Sequence, residues 1–470
     1  MDQHEEEKIH KMTTEPVHRL ICSLAVPTII AMLVTGLYNM VDTFFVGQIG
    51  TEATAAVGLI FPVMAIIQAF GFFFGMGSGN FISRSLGAHN HDEAQTMAST
   101  GAVCALLFGG LILVMGYVFE NALLFVLGAR AELVSELAVS YAREYLSIIL
   151  IGAPFSCLSF VLNNQLRFQG NAMFAMVALA VGAVINCVLD PIFIFTFGLE
   201  VKGAAIATVT GQFISCSLLY IGSMKSDSLK IHFREFRPNA YYLKNIAVAG
   251  TPSLFRQSLS SVSTLCLNAA AGAAVAAELA DKSIAAFSIS SKIMFFAFSA
   301  VIGFGQGFQP VCGFNYGAKR YDRVKEGYLF CLRFGFVILL ILSVLGFIFA
   351  EPLISLFRDD PDVVSIGKTA LRFQCVSFTL LVVLTTTNMA YQNMGKVVGA
   401  TVLALARQGI TFIPVILTLP RLLDNSLLGV YLAQPIADVL AFLISVPMAI
   451  KLIRELTRME QEEKLNETRA

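Results

Sequence analysis

The sequence predicts an all-α polytopic membrane protein: twelve transmembrane helices in two six-helix lobes related by a parallel pseudo-two-fold repeat. Three observations predict it. First, of 470 residues 56% are hydrophobic and only 14% charged. Soluble domains run at roughly 45–50% apolar and 25% charged, so this much apolar surface has nowhere to hide in a water-soluble globule. Second, twelve segments reach the ~20 mostly apolar residues that a spanning helix needs. Third, the second six segments repeat motifs of the first six at matched spacing.

The elements follow in order. Residues 1–19 carry Glu5-Glu6-Glu7 and no apolar core, so they read as a cytoplasmic tail and not as a cleavable signal peptide. Spans are placed at 20–47, 53–83, 98–119, 139–162, 173–197 and 203–223, which make the N-lobe (20–223). The polar stretch 224–244 is a cytoplasmic linker. Spans at 245–273, 283–313, 327–350, 368–393, 397–419 and 427–452 make the C-lobe (245–452), and 453–470 is a second cytoplasmic tail. Basic residues orient the chain. Twenty Lys and Arg fall in loops and tails on the side of the N-terminus, against six opposite: Arg130, Lys202, Lys282, Arg358, Lys368 and Arg421. The positive-inside rule then puts both termini in the cytoplasm; a membrane of the bacterial inner (plasma) type is expected.

The repeat is visible residue by residue. Ala55-Ala56 leads into span 2 and Gly87-Ala88 closes it; Ala285-Ala286 leads into span 8 and Gly317-Ala318 closes it, at the same spacing of 32. Gly75-x-Gly77 matches Gly305-x-Gly307, Pro27 matches Pro252, and Phe168-Gln169 is paired with Tyr391-Gln392. Gly203-x-x-x-Ala207 matches Gly429-x-x-x-Ala433. Six spans per half bring both halves in from the same side, so the repeat is parallel, a transporter architecture with a midplane cavity. A duplicated chain needs no second copy to close such a cavity, and a functional monomer is expected.

Several classes are excluded. Thirty-two basic residues balance 32 acidic ones, leaving no field to attract nucleic acid. The nine Cys show no paired spacing and read as packing residues, not disulfides or metal ligands. His89 and His91 stand in a loop without a neighbouring Cys, so no metal site is expected. Gly75-x-Gly77-x-Gly79 lies within an apolar helix with no preceding strand, which suits close helix packing and not a nucleotide loop. The Asp359-Asp360-Pro361-Asp362 cluster reads as a solvated outer loop. No paired carboxylates or His cluster share one depth on an accessible side, so the chain is not read as an enzyme, and no cofactor is expected.

The charges within spans carry the functional signal. A carboxylate in hydrocarbon costs at least ~2.5–3.5 kcal/mol and normally faces a partner or a wet cavity. Asp42 lies in span 1 and Asp190 in span 5. Thr35, Tyr38, Asn39 and Asp42 recur at helical intervals, and Asn186 with Asp190, and Thr208 with Gln212, stand four apart. Three helices of one lobe thus each present a polar stripe. Two readings compete: structural carboxylates satisfied by hydroxyls and amides, or an oxygen-lined site for a proton or hard cation. The C-lobe positions matching the two acids fall near Leu267 and Pro414, without a carboxylate. Arg256, Arg407 and Asp438 read instead as a polar network holding the C-lobe together.

Pro27 with Tyr38-Asn39-Met40-Val41-Asp42-Thr43-Phe44-Phe45-Val46-Gly47 resembles the first helix of the multidrug and toxic compound extrusion (MATE) family. Asn186-Cys187-Val188-Leu189-Asp190-Pro191 resembles its fifth, and Gly303-Phe304-Gly305-Gln306-Gly307-Phe308-Gln309-Pro310 with Asn315-Tyr316-Gly317-Ala318 its eighth. Pro252-Ser253-Leu254-Phe255-Arg256-Gln257 is similar to the MepA-like branch, and the resemblance runs from about residue 18 to 452. It implies two six-helix lobes and export of lipophilic cations in exchange for H⁺ or Na⁺. It also implies an N-lobe ion site at Asp42, Asn186, Asp190 and Thr208, with helix 1 bending at Pro27. For a lipophilic cation, aromatic and Met walls with a few polar groups are wanted. Met32, Thr35, Tyr38, Asn39, Phe61, Asn163 and Gln212 are the candidates. The competing function is a lipid-linked precursor flippase. It would need several Arg or Lys in a central cavity, where spans 1–6 offer only Arg143 at an edge.

Overall fold

The structure, a computed structural model, describes residues 3–129, 134–225 and 229–469; Arg130 lies outside the described residues. Twelve long helices run in chain order: α1 (Val17–Ile49), α2 (Thr51–Gly87), α3 (His91–Val118), α4 (Glu136–Phe168), α5 (Ala172–Thr196) and α6 (Glu200–Met224), then α7 (Ala240–Ala273), α8 (Ala280–Gly317), α9 (Tyr321–Ile348), α10 (Pro361–Phe378 with Leu381–Asn393), α11 (Val397–Leu422) and α12 (Ser426–Arg469). No strand occurs among the described residues. Ten of these are long and apolar enough to cross a membrane, and α10, bent by 56° at its break, makes an eleventh. The twelfth, α7, is 34 residues long. Its run of Ser and Thr around Arg256 makes it too polar to be counted on composition alone.

Local chemistry fixes the helix ends. Ser135 caps α4, its hydroxyl accepting from the Ala138 N–H at 3.2 Å, with Glu136 in the first turn where the helix dipole favours an anion. Asp360 caps α10, accepting from the N–H groups of Asp362 and Val363. Lys282 pairs with both Asp360 and Asp362 at 3.3 and 2.6 Å. The Val363 N–H, with Lys282 beside it, holds the Asp360 carboxyl below its ordinary range. The acidic cluster is therefore a helix cap and an ion-pair anchor.

The repeat holds at the level of single hydrogen bonds. After α2 and after α8 the chain turns through a left-handed residue, His89 (φ 58°) and Lys319 (φ 57°). The closing bonds, Asn90 N–H to Ser85 O and Arg320 N–H to Asn315 O, are both 2.8 Å. Asn163 donates to Ala175 O, tying α4 to α5, and Asn388 donates to Ala400 O in the same way from α10 to α11. These bonds, with the positive-φ turns at Gly170 and Gly395, set the repeat two residues off the Phe168-Gln169/Tyr391-Gln392 pairing drawn from sequence. The motif looked alike, but the turn geometry decides the register.

Two compact units form: Met1–Thr14 with Ile30–Leu254, and Glu15–Ile29 with Phe255–Ala470. The lobes drawn from sequence assign every span whole to one half, whereas these units share α1 and α7. Each helix changes unit two residues after a proline, Pro27 or Pro252, where the missing N–H and the ring weaken the helical ladder. Within the C-terminal unit the first half of α1 lies flat on α8: Thr28 Oγ1 donates to Gly303 O at 2.6 Å. A Cβ on Gly303 or Gly307 would fall 2.6 Å from the Cα of Ile29 or Ala25. In the N-terminal unit Gly77 and Gly250 allow the same approach of α7 to α2, against Ile246 and Phe73. Overpacking of such a contact costs about 1–3 kcal/mol. Gly307→Val is therefore expected to lower the unfolding temperature of purified protein, while Gly110→Val, with nothing within 4 Å of the added Cβ, leaves it nearly unchanged.

Both predicted tails are helical. Gln3–Thr14 buries Ile9 and Met12 (4% and 3% exposed), and α12 continues beyond residue 453 as one helix. Its far end pairs Glu455 with Lys396, Glu460 with Lys325 and Glu463 with Lys319; such surface pairs add about 0–1 kcal/mol each. All nine cysteines are free thiols. Arg167, read from sequence as a loop charge, is 2% exposed, donating to Asn164 Oδ1 at 2.8 Å and stacking over Phe168.

Candidate functional site

In the N-terminal unit the site grows from a backbone contact. Gly182 of α5 and Gly211 of α6 face each other, and a Cβ on either would lie 2.7 Å from the other's carbonyl oxygen. This close approach brings Asn186 and Asp190, one turn apart on α5, beside Thr208 of α6. Asn186 Nδ2 stands 3.4 Å from both Asp190 Oδ1 and Thr208 Oγ1. All three residues are buried, Asp190 completely. Pro191 follows at once, and the helix widens into a π-turn over Ile192–Thr196; π-turns inside α-helices gather at functional sites.

Around this core lie Asp42 and Tyr38 of α1 and Tyr145 of α4. Asp42 is close enough to Asp190 for the two carboxylates to sense each other's charge. Tyr145 is fully buried; its hydroxyl donates to Met64 Sδ at 3.8 Å and lies within electrostatic reach of Thr208 and both acids. Sequence reasoning missed Tyr145. The available signal was the deeper of two phenols in span 4, Tyr141 and Tyr145, since a buried hydroxyl must find a partner. Three oxygens of the cluster, Asp42 Oδ1, Asn186 Oδ1 and Asp190 Oδ2, are buried without a hydrogen-bond partner. Unmet carboxylate and amide oxygens in one apolar site form a donor set for a proton or a hard monovalent cation. Among the described residues no group of three or more His, Cys, Asp or Glu is arranged to hold a metal ion.

The other predicted pocket residues divide. Met32, Thr35 and Tyr38 are half-buried and Asn39 is exposed. The Thr35 hydroxyl donates to Ala31 O and the Asn39 amide to Thr35 O, both within α1 at 2.8 Å. Phe61 is 62% exposed. Gln212 accepts a hydrogen bond from Ser156, and Asn163 is engaged in its helix-to-helix bond. The structure thus gathers Tyr38, Asp42, Asn186, Asp190 and Thr208, whereas Asn163 is bonded to Ala175 O and Phe61 faces outward.

In the C-terminal unit, Asp438 of α12 (2% exposed) accepts from Arg407 Nε, Ser377 Oγ and Gln434 Nε2 at 3.1, 2.9 and 2.8 Å. Arg407 stacks over Phe298 and starts from a second π-turn, Ala406–Phe412 in α11. Asp438 stands nine residues after Gly429, as Gln212 stands nine after Gly203. The C-terminal unit therefore carries a charged pair where the N-terminal unit carries a neutral amide. Among the described residues Arg256 has no bond to this network.

Comparison with known proteins agrees with the geometry. The MatE family model matches residues 27–192 and 252–418, one match in each half of the repeat. The multidrug export protein MepA of Staphylococcus aureus (strain MSSA476) is 26% identical over 460 residues, covering 97% of this chain and 99% of its own. A solved outward-facing multidrug resistance MATE family transporter of the MOP superfamily superposes with a TM-score of 0.89 at 27% identity, over 95% of this chain and 98% of that one. A crystal structure of a MATE in the straight conformation gives 0.88 at 26% identity over the same shares. Twelve helices in a parallel repeat, a buried acid–amide–hydroxyl cluster on helices 1, 5 and 6, and a family match in both halves lead to one conclusion: the chain belongs to the MATE (multidrug and toxic compound extrusion) family.

Proposed function

We propose that the chain is a secondary multidrug antiporter, exporting small lipophilic, mostly cationic compounds in exchange for H⁺ or Na⁺. It works as a monomer by alternating access, in a bacterial plasma membrane with both termini in the cytoplasm. The observation that carries this reading is the convergence of Asp190, Asn186 and Thr208 with Asp42, with buried oxygens left unpaired. The relatives named for multidrug export support the cargo class.

The chemistry follows from charge. With the site open outward, H⁺ or Na⁺ binds the acid pair and cancels the attraction for a cationic substrate, which leaves. Helix α1, weakened at Pro27, rearranges as the charge that held it is neutralised. The carrier turns inward, the ion escapes to the cytoplasm, and the bare carboxylates attract the next cation. Tyr145 and Tyr38 hold hydroxyls close to the acids throughout, so that neither charge is stranded in hydrocarbon.

A host stripped of its own pumps is expected to gain resistance to ethidium when it expresses this chain. In vesicles, ethidium efflux is expected under a pH gradient alone or a Na⁺ gradient alone, and should stop when that gradient is collapsed. Unchanged sensitivity and no gradient-driven efflux, with the protein present in the membrane, would replace export with lipid-precursor flipping.

A further inference from the structure

We propose that the C-terminal unit holds a subsite for the anionic group of a substrate, a carboxylate carried by an otherwise lipophilic cation, formed by Arg256 of α7 and Lys292 of α8. The proposal rests on the export reading and deepens it.

Charge balance comes first. Among the described residues of this unit's spans, Asp438 is the one carboxylate in the apolar middle, and Arg407 already pairs with it. Arg256 is half-buried and Lys292 exposed; neither has a hydrogen-bond or ion-pair partner among the described residues. Each such cation costs ~2.5–3.5 kcal/mol at the centre of a span, and unpaired intramembrane charges mark ligand or ion pathways.

The pairing of α7 with α8 sets the two cations on adjacent helices. Ser283 Oγ donates to Ala271 O at 2.8 Å and Ser288 Oγ to Asn268 Oδ1 at 3.5 Å, so α7 and α8 pair antiparallel. One turn further on, Lys292 of α8 is level with Thr264 of α7. Lys292 is on the opposite side of α8 from Ser290, which donates to Gly367 O of α10. Along α7, Arg256 shares a face with Ser263, whose hydroxyl donates to Gln408 O at 3.4 Å. Arg256 and Thr264 are eight residues, about 12 Å, apart along the axis. Ser260 and Thr264 fall between, the Thr264 hydroxyl donating to Ser260 O at 3.0 Å, and long basic side chains at both ends can close on one anion. A planar guanidinium with free N–H groups takes a carboxylate in a two-pronged bond, and the lysine adds a mobile point charge. The same pair would also accept the headgroup of an anionic lipid, so the test separates the two.

Two rhodamines serve as probes, differing only at one group: an ester, which is purely cationic, and its free acid, which is zwitterionic. Efflux of each is followed in vesicles of phosphatidylcholine alone and of phosphatidylcholine with phosphatidylglycerol. For Arg256→Gln, Lys292→Gln and the double variant, free-acid efflux is expected to fall about tenfold, as for the loss of one charged contact. Ester efflux stays within about twofold, and Arg256→Lys, which keeps the charge but not the two-pronged bond, recovers part of the free-acid rate. Ester transport controls for folding, and Lys292→Gln alters an exposed side chain. Equal loss of both probes, or loss of neither, overturns the subsite. A difference seen only with phosphatidylglycerol present assigns the cations to a lipid headgroup and overturns it too. Failure of the wild type on the ester in every vesicle would overturn the export reading and the subsite with it.

Discussion

Asp190→Asn is expected to reduce ion-driven dye efflux to the level of vesicles without protein. The side chain keeps its shape and its bond partners at Asn186, but loses the charge that makes the cluster attract a proton or cation. Hydrogen bonds to a charged group contribute about 1.5–3 kcal/mol, so ion affinity falls by roughly ten- to a hundred-fold. Stability moves the other way. Asp190 is fully buried with one oxygen unpaired, and removing a buried charge relieves its desolvation. The variant should therefore unfold at the same or a higher temperature than the wild type, while efflux disappears. Asp42→Asn should also abolish coupling. If efflux survives both changes and melting temperature drops, the acids are structural and the exchange site is misplaced.

The second large effect concerns stability. Asp438→Leu leaves Arg407 without its counter-charge among buried neighbours, and breaking a buried pair from one side costs about 3–5 kcal/mol. Ser377 and Gln434 lose their acceptor as well. Low expression and a large fall in unfolding temperature are expected. Arg407→Met combined with Asp438→Leu should recover most of that loss, since an apolar pair of similar volume often replaces a buried ion pair without cost. A single variant as stable as the wild type, or a double variant no better than the single, would contradict this account.

Much of this was legible in the sequence because membrane helices advertise themselves. Eleven predicted spans match helices by apolar length, and the four-residue spacing of Asn186 and Asp190 places both on one face of α5 without any structure. Tertiary geometry was not legible. Asn163 and Gln212 look like pocket residues on a helical wheel, yet each is engaged by a neighbouring helix. Tyr145 joins the acids only because α4 packs beside α1 and α6, and no local pattern in its span marks it. Lys292 closes a short polar run, Ser288, Ser290 and Ser291, which on its own reads as helix packing and not as part of a site. Arg167 was assigned to a loop by counting charges, whereas burial against Asn164 and Phe168 keeps it in the last turn of α4.

The exchange of half-helices at Pro27 and Pro252 has a consequence for biosynthesis. The N-terminal unit is incomplete until the chain has been made through Leu254, well past the linker. The C-terminal unit meanwhile includes Glu15–Ile29, which must wait for residues made hundreds of positions later. Neither half is a self-sufficient folding unit, and a break at the linker yields two fragments that each lack a piece carried by the other. Such fragments are expected to accumulate in the membrane only when produced together, so quality control acts on the whole transporter and not on one lobe at a time.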